Sequence, residues 1–251
     1  MAKNIRTEAY EVMIQGPNFA LGPQPRARPF DTIKPMKPPV VTIGICGGSA
    51  SGKSVLSSYI VEGMKGNAVV FCQDWYYKDN GSLCTKEVEK VNVDHPSAIE
   101  FPLLVKQLDA LRKGEAIDAP VYEYVTHART GIQRIEPKSV IIVDGLFVLQ
   151  NKSVLSRLDL SIFIEVPADE RLLRRVRRDV THRRIDLDET LRVYESFVRP
   201  MHDKFIQPSA KNATFRWHQL EDKKFRKEVL AEVKARLLHK RNGIDYPTLK
   251  V

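Results

Sequence analysis

Residues 47–54 read GGSASGKS, with Gly47, Gly52, Lys53 and Ser54 in the fixed positions of G-x-x-x-x-G-K-[ST]. In such a loop the glycines let the backbone amides of Gly47, Gly48, Ser49, Ala50, Ser51 and Gly52 converge on phosphate oxygens. Lys53 is placed to reach β/γ oxygens, and the Ser54 hydroxyl to hold Mg²⁺. An apolar run, VVTIGIC at 40–46, precedes the loop, and the helix-like VLSSYIVEGM at 55–64 follows it. A merely flexible Gly/Ser loop has no need of that strand–loop–helix setting, whose helix turns its positive end toward the phosphates.

Two carboxylates stand where such a cradle needs them. Asp144 ends the run SVIIV and precedes Gly145, the placement of an acidic residue facing the metal. A strand-end aspartate opening a turn is the alternative; pairing with the phosphate loop favours the metal. Asp74 follows AVVFC at 68–72, and a carboxylate beyond the carboxyl end of a parallel strand can orient and deprotonate an attacking hydroxyl. From position alone, an ordinary turn or cap aspartate reads equally well.

Residues 169–184, DERLLRRVRRDVTHRR, concentrate seven arginines. Helical spacing puts Arg171, Arg174, Arg175 and Arg178 on one face and Leu173, Val176 and Val180 on an apolar stripe. The planar guanidinium fork suits phosphates in a closing lid. A solvated charge run is the alternative, but the only acid after Arg171 is Asp179.

The elements that must position these groups alternate in type. Short apolar runs at 40–46, 68–72, 139–143 and 160–166 are separated by helical stretches that include 55–64 and 101–113. This predicts an α/β fold, a mainly parallel sheet with helices on both faces. Residues 117–135 look like a β-hairpin insertion turning at Thr130-Gly131. Helices are expected over 168–182, 188–205 and 220–240; in the last, Phe225, Val229, Val233 and Leu237 form the packing stripe. Residues 1–39 hold Pro17, Pro23, Pro25, Pro29, Pro35, Pro38 and Pro39 and read as a flexible arm before a domain over 40–251.

Of the 251 residues 43% are hydrophobic, without an 18-residue apolar run or a secretory h-region. Glu8, Glu11 and Asp31 count against a transit peptide. Cys46, Cys72 and Cys84 have neither zinc spacing nor an even count for disulfides. Cys46 and Cys72 read as small buried hydrophobes, and a soluble, cytoplasmic protein is expected. A net charge of +9 calls for an anionic partner without choosing between nucleic acid and nucleotide.

With these segments in order, the chain resembles the uridine kinase (uridine–cytidine kinase) family from about Val40 to Lys211. The matching pieces are GGSASGKS at 47–54, QDWYY at 73–77, NVDHPSAIEF at 92–101, PVYEYVTHAR at 120–129, VDG at 143–145, RLLRRVRRD at 171–179 and FVRPMHDKFIQPSAK at 197–211. The resemblance implies a P-loop kinase fold with a five-stranded parallel core, a hairpin over the nucleoside and an Arg-rich lid at 169–186. ATP and Mg²⁺ are the implied cofactors, with a pyrimidine ribonucleoside phosphorylated on its 5′-hydroxyl. Position by position, it implies Asp74 as catalytic base, Asp94 on the ribose hydroxyls, Tyr122 and His127 on the pyrimidine, Tyr77 in the pocket wall and Arg175 reaching substrate. Arg178 and Arg183 would face the phosphates, Lys53 would act in catalysis, and Ser54 and Asp144 would hold the metal. Taken alone, a histidine in a turn is more often a surface residue.

Several positions depart from the family pattern. Asp144 stands where glutamate is usual, Ile185 where a lid arginine is, Val193 where a substrate-contacting glutamine is, and Val93 where an aromatic is. NATFRWHQL takes the place of an apolar strand after Lys211. Ile185 and Val193 create the expectation of weak discrimination against deoxynucleosides. Rival functions are a kinase of another ribosyl or sugar-like alcohol, a regulatory nucleotide binder with weak catalysis, and a nucleic-acid binder supported only by charge. The expected partner is a small-molecule nucleoside, with no nucleic acid and no membrane; oligomeric state stays open, a homo-oligomer included.

Overall fold

The computed structural model describes residues 39–81, 92–124, 126–218, 222–244 and 246. Apart from Pro39, the proline-rich arm lies outside them, as does Cys84.

Five strands, β1 (Val41–Gly47), β2 (Ala68–Cys72), β5 (Val140–Asp144), β6 (Leu160–Ile164) and β7 (Phe215–Trp217), form one sheet in the order β2-β5-β1-β6-β7. All its pairings are parallel. Every residue of β1, β5 and β6 is buried. Their alternating side chains divide between two cores. Val41, Ile43, Ile45, Val140, Ile142, Leu160 and Ile162 pack with Leu56 and Ile60 of α1 (Lys53–Gly63) and with Val229, Val233 and Leu237 near the chain end. Ile141, Val143, Cys46 and Phe163 face the other way, onto Leu104, Leu108 and Leu111 of α2 (Phe101–Arg112). A strand covered on both faces has no solvent side, which is why these runs are apolar almost without interruption.

The strand β7 corrects the reading of NATFRWHQL as a lost strand. Phe215–Trp217 pairs with Ile162–Ile164. The segment is too short and polar to show the apolar run, but Trp217 is buried and its ring stacks on Phe225 at a centroid distance of 5.0 Å.

Outside the sheet, β3 (Ile117–Glu123) and β4 (Ala128–Ile135) pair antiparallel, with an irregularity between Val121 and Tyr122. Thr130-Gly131, expected as the turn, lies within β4, where Gly131 pairs with Val121. The chain instead reverses between Glu123 and Ala128, and His127 takes the left-handed conformation there (φ 52). That conformation costs about 1–2 kcal/mol in a residue with a Cβ; its carbonyl accepts from the Asn80 amide at 2.9 Å and its ring from or to the Tyr122 hydroxyl at 3.2 Å. Arg129 anchors the hairpin by donating to the Tyr77 carbonyl at 3.0 Å and pairing with Glu100 at 2.7 Å.

After a one-turn helix, α3 (Lys152–Leu155), the arginine segment forms α4 (Ala168–Arg177), which loosens into a wide π-type turn over Arg178–His182. Its expected apolar stripe does not face a core: Leu173 is 61% and Val180 38% exposed. The charged face turns inward instead, because a buried aspartate and the cavity below organise it. Helix α5 (Leu187–Val193) continues through π-type turns to Ile206, and α6 (Lys223–Arg241) closes the chain. Among the described residues no helix is long and apolar enough to cross a membrane.

Candidate active site

The strand order brings three strand ends together. Asp144 is in register with Ile45 of β1 on one side and Cys72 of β2 on the other. Gly47 and Asp74, each two residues further along their chains, therefore lie at the same carboxyl edge, the crevice where open parallel sheets present their ligand groups.

Gly52 caps α1 in the left-handed region (φ 93), a conformation that glycine adopts without a Cβ penalty. Lys53 folds back over the loop, its Nζ donating to the carbonyls of Gly47 and Gly48, each at 3.1 Å. Asp144 accepts from Ser57 at 3.1 Å and Ser54 at 3.4 Å through Oδ2. Burial raises its pKa, while the Lys53 cation opposes the rise. Gly145 follows because a Cβ there would lie 2.4 Å from the Gln73 Cβ; buried Gln73 accepts the Phe147 amide at 2.9 Å and so locks the β2 end to the β5 end.

A cavity of about 660 Å³ opens at this edge, within the roughly 300–1,000 Å³ typical of small-molecule sites. Ser49, Ala50, Gly52, Lys53 and Ser54 line it together with Asp144, Asp74, Tyr77, Asp94, Tyr122, His127, Arg175, Arg178 and Arg183. Gly47, Gly48 and Ser51 do not; Ser51 is fully buried beneath the loop. Ile185 and Val193 also lie off the cavity wall, so the expectation of relaxed sugar discrimination has no contact behind it; Val93 is on the wall. Tyr77 and Tyr122 lean together with centroids 5.1 Å apart. Burial raises the pKa of Asp94, and the nearby Arg175 cation counters it. Cys46 is buried, but Cys72 is only half-buried and borders the cavity.

Sequence reasoning missed Tyr124. Its hydroxyl donates to Asp74 Oδ2 at 2.9 Å, and the Arg183 guanidinium carbon sits 4.7 Å from its ring centroid. Tyr124 was two residues from Tyr122 in a β-type run, so strand alternation could have flagged it.

It also missed what Asp179 does. This side chain, 2% exposed, holds Arg178 at 2.9 Å, Arg175 at 3.2 Å and Arg183 at 3.5 Å. One buried carboxylate thus gathers three guanidiniums over the cavity, leaving a surplus of positive charge for an anion. The Arg175 and Arg183 contacts follow from i, i+4 spacing, a signal present in the sequence. Asp179→Asn should remove roughly 2 kcal/mol, below the buried-pair range because the arginines are partly exposed. A melting temperature several degrees lower, partly restored by tripolyphosphate, is the expected result; an unchanged melting curve would contradict the arrangement.

Arg171 separates from the other lid arginines. It is buried, donates to the Val166 carbonyl at 3.0 Å and lies against Gly48. It also lines a second cavity of about 500 Å³ with Glu165, Pro167, His202, Gln207 and His218. Burial and the Arg171 cation pull the His202 imidazole down to about 4, so it is neutral near pH 7.

Comparison with known proteins agrees with this architecture. The sequence model of the Phosphoribulokinase / Uridine kinase family matches residues 42–225. The uridine kinases of Staphylococcus aureus strains JH9 and Newman are each 42% identical over 173 residues, spanning 68% of this chain and 84% of theirs. Among solved structures, phosphoribulokinase from Rhodobacter spheroides superposes with a TM-score of 0.54 at 13% identity, covering 72% of this chain and 70% of that one. D-glycerate 3-kinase from Cryptococcus neoformans gives 0.52 at 12% identity, covering 68% and 80%. These two carry the P-loop kinase fold alone. With the family model spanning the phosphate loop, the hairpin and the arginine lid, the chain belongs to the phosphoribulokinase / uridine kinase family.

Proposed function

We propose that the chain transfers the γ-phosphoryl group of ATP to the 5′-hydroxyl of a pyrimidine ribonucleoside, uridine or cytidine. Family membership makes it a phosphotransferase with an alcohol acceptor. One observation carries the acceptor assignment: Asp74 shares a single cavity with the phosphate loop and with the aromatic, hydrogen-bonding group Tyr77, Tyr122, His127 and Asp94.

On this reading Asp74 takes the proton of the 5′-hydroxyl as its oxygen attacks the γ-phosphorus and the bond to the β,γ-bridging oxygen breaks, releasing ADP. Lys53, turning from the loop carbonyls to the phosphates, and Arg175, Arg178 and Arg183 neutralise the charge on the transferring group. Asp94 accepts from the ribose hydroxyls. The Tyr122–His127 pair presents its polar edge to the pyrimidine beside the Tyr77 ring. Ser54 and Asp144 are hard oxygen donors side by side, which fits Mg²⁺ retaining water and phosphate ligands. Held by Ser54 and Asp144, the ion would supply neutralisation of phosphate charge. Arg171, touching both Gly48 and the second cavity, supports placing the nucleotide base there.

Val93 favours a second reading, a non-nucleoside sugar alcohol as acceptor, since it offers no ring for a base to stack on. The deciding experiment incubates the protein with ATP, Mg²⁺ and a panel of nucleosides and sugar alcohols and identifies products by mass. UMP or CMP is expected; phosphorylation of sugar alcohols without nucleosides would replace the first reading by the second.

A further inference from the structure

Before any acceptor arrives, one oxygen of Asp74 is engaged and the other is shielded from solvent. Oδ2 accepts from the Tyr124 hydroxyl at 2.9 Å. Oδ1 is shielded from solvent and has no hydrogen-bond partner among the described residues. Two elements hold the phenol in place: the hairpin, which carries it and whose Tyr122 ring meets it edge-on at 5.5 Å and 89°, and the lid, whose Arg183 lies against its face. Burial, followed by the Asp74 charge, pushes the Tyr124 phenol far above its ordinary pKa. It remains a donor at neutral pH and takes up one of the two carboxylate oxygens to which an acceptor hydroxyl can donate.

We propose that Tyr124 caps Asp74 in the absence of acceptor and thereby discriminates against water as the phosphoryl acceptor; this rests on the reading of Asp74 as the base. Every ATP-dependent kinase faces the same competing reaction. Water's oxygen can bond to the γ-phosphorus while the bond to the β,γ-bridging oxygen breaks, its proton passing to the carboxylate and leaving ADP and phosphate. Water displacing the phenol gains one hydrogen bond for the one it breaks. A nucleoside entering the cavity also gains Asp94, Tyr122 and His127, and those contacts favour displacing the cap. Exclusion of water from a phosphoryl-transfer site is usually assigned to lid closure; here the acceptor hairpin contributes a hydroxyl that copies the substrate's own.

The test compares wild type, Tyr124→Phe and Tyr124→Phe/Asp74→Asn, measuring phosphate release from ATP·Mg²⁺ without nucleoside and transfer to uridine with it. Phenylalanine keeps the ring and its Arg183 contact, and melting curves check that the fold is retained. Tyr124→Phe should raise nucleoside-independent phosphate release about 3- to 10-fold, the scale of one hydrogen bond, and lower the KM for uridine. The double variant should return release to the wild-type level or below. Unchanged release in Tyr124→Phe, or a rise that survives Asp74→Asn, would overturn the cap. Should wild type phosphorylate no nucleoside, the assignment of acceptor fails, while phosphate release, which needs no acceptor, still decides the role of Tyr124.

Discussion

Lys53→Ala is expected to lower kcat by roughly 10²- to 10³-fold, the usual effect of deleting one preorganised charge-stabilising group. The side chain contributes the cation nearest the β/γ oxygens in the proposed complex. Its two hydrogen bonds to Gly47 and Gly48 also pin it to the loop in the free protein. Those bonds are partly buried, so their loss should cost about 1 kcal/mol of stability, far too little to unfold the chain. A coupled assay for ADP together with a melting curve separates the two effects. Turnover near the wild-type rate with an unchanged melting temperature would remove the phosphate loop from the mechanism.

Asp74→Asn should lower kcat by roughly 10²- to 10⁴-fold, the range for general-base catalysis, and move the acceptor KM only a few-fold. The amide keeps the shape and can still accept from Tyr124 through its carbonyl, but it cannot take a proton. A rise in KM at constant kcat would make Asp74 a binding residue and send the search for a base elsewhere. Asp94 is the obvious reserve: it lines the same cavity, and burial favours its protonated form.

The core was legible because a parallel sheet covered on both faces writes itself as apolar runs. VVTIGIC, SVIIV and LSIFIEV could be read within two residues of β1, β5 and β6. The phosphate loop was legible for a related reason: backbone amides aimed at phosphates require glycine at fixed spacings, and the spacing survives without coordinates. The hairpin turn was not. Thr130-Gly131 has turn-forming residues, yet cross-strand pairing with Val121 keeps it extended, and the reversal falls at His127, whose strained backbone is offset by contacts distant in sequence.

The lid divides most clearly between what residue types determine and what the fold decides. Composition and spacing alone establish that seven arginines crowd 169–184 and that one acid interrupts them. Helical periodicity cannot say which face turns inward. An apolar stripe normally does, but here Leu173 and Val180 face solvent while Arg175, Arg178 and Arg183 line the cavity, because Asp179 is buried beneath them. Likewise the order of residues brings Asp74, Asp144 and Lys53 into separate segments, and only the crossover that inserts β5 between β1 and β2 sets them at one edge. Chemistry-bearing residue types and local periods are properties of the chain. Which of them meet is decided by long-range packing, since hydrophobic burial chooses the strand order and the polar groups at the strand ends are carried into contact by it.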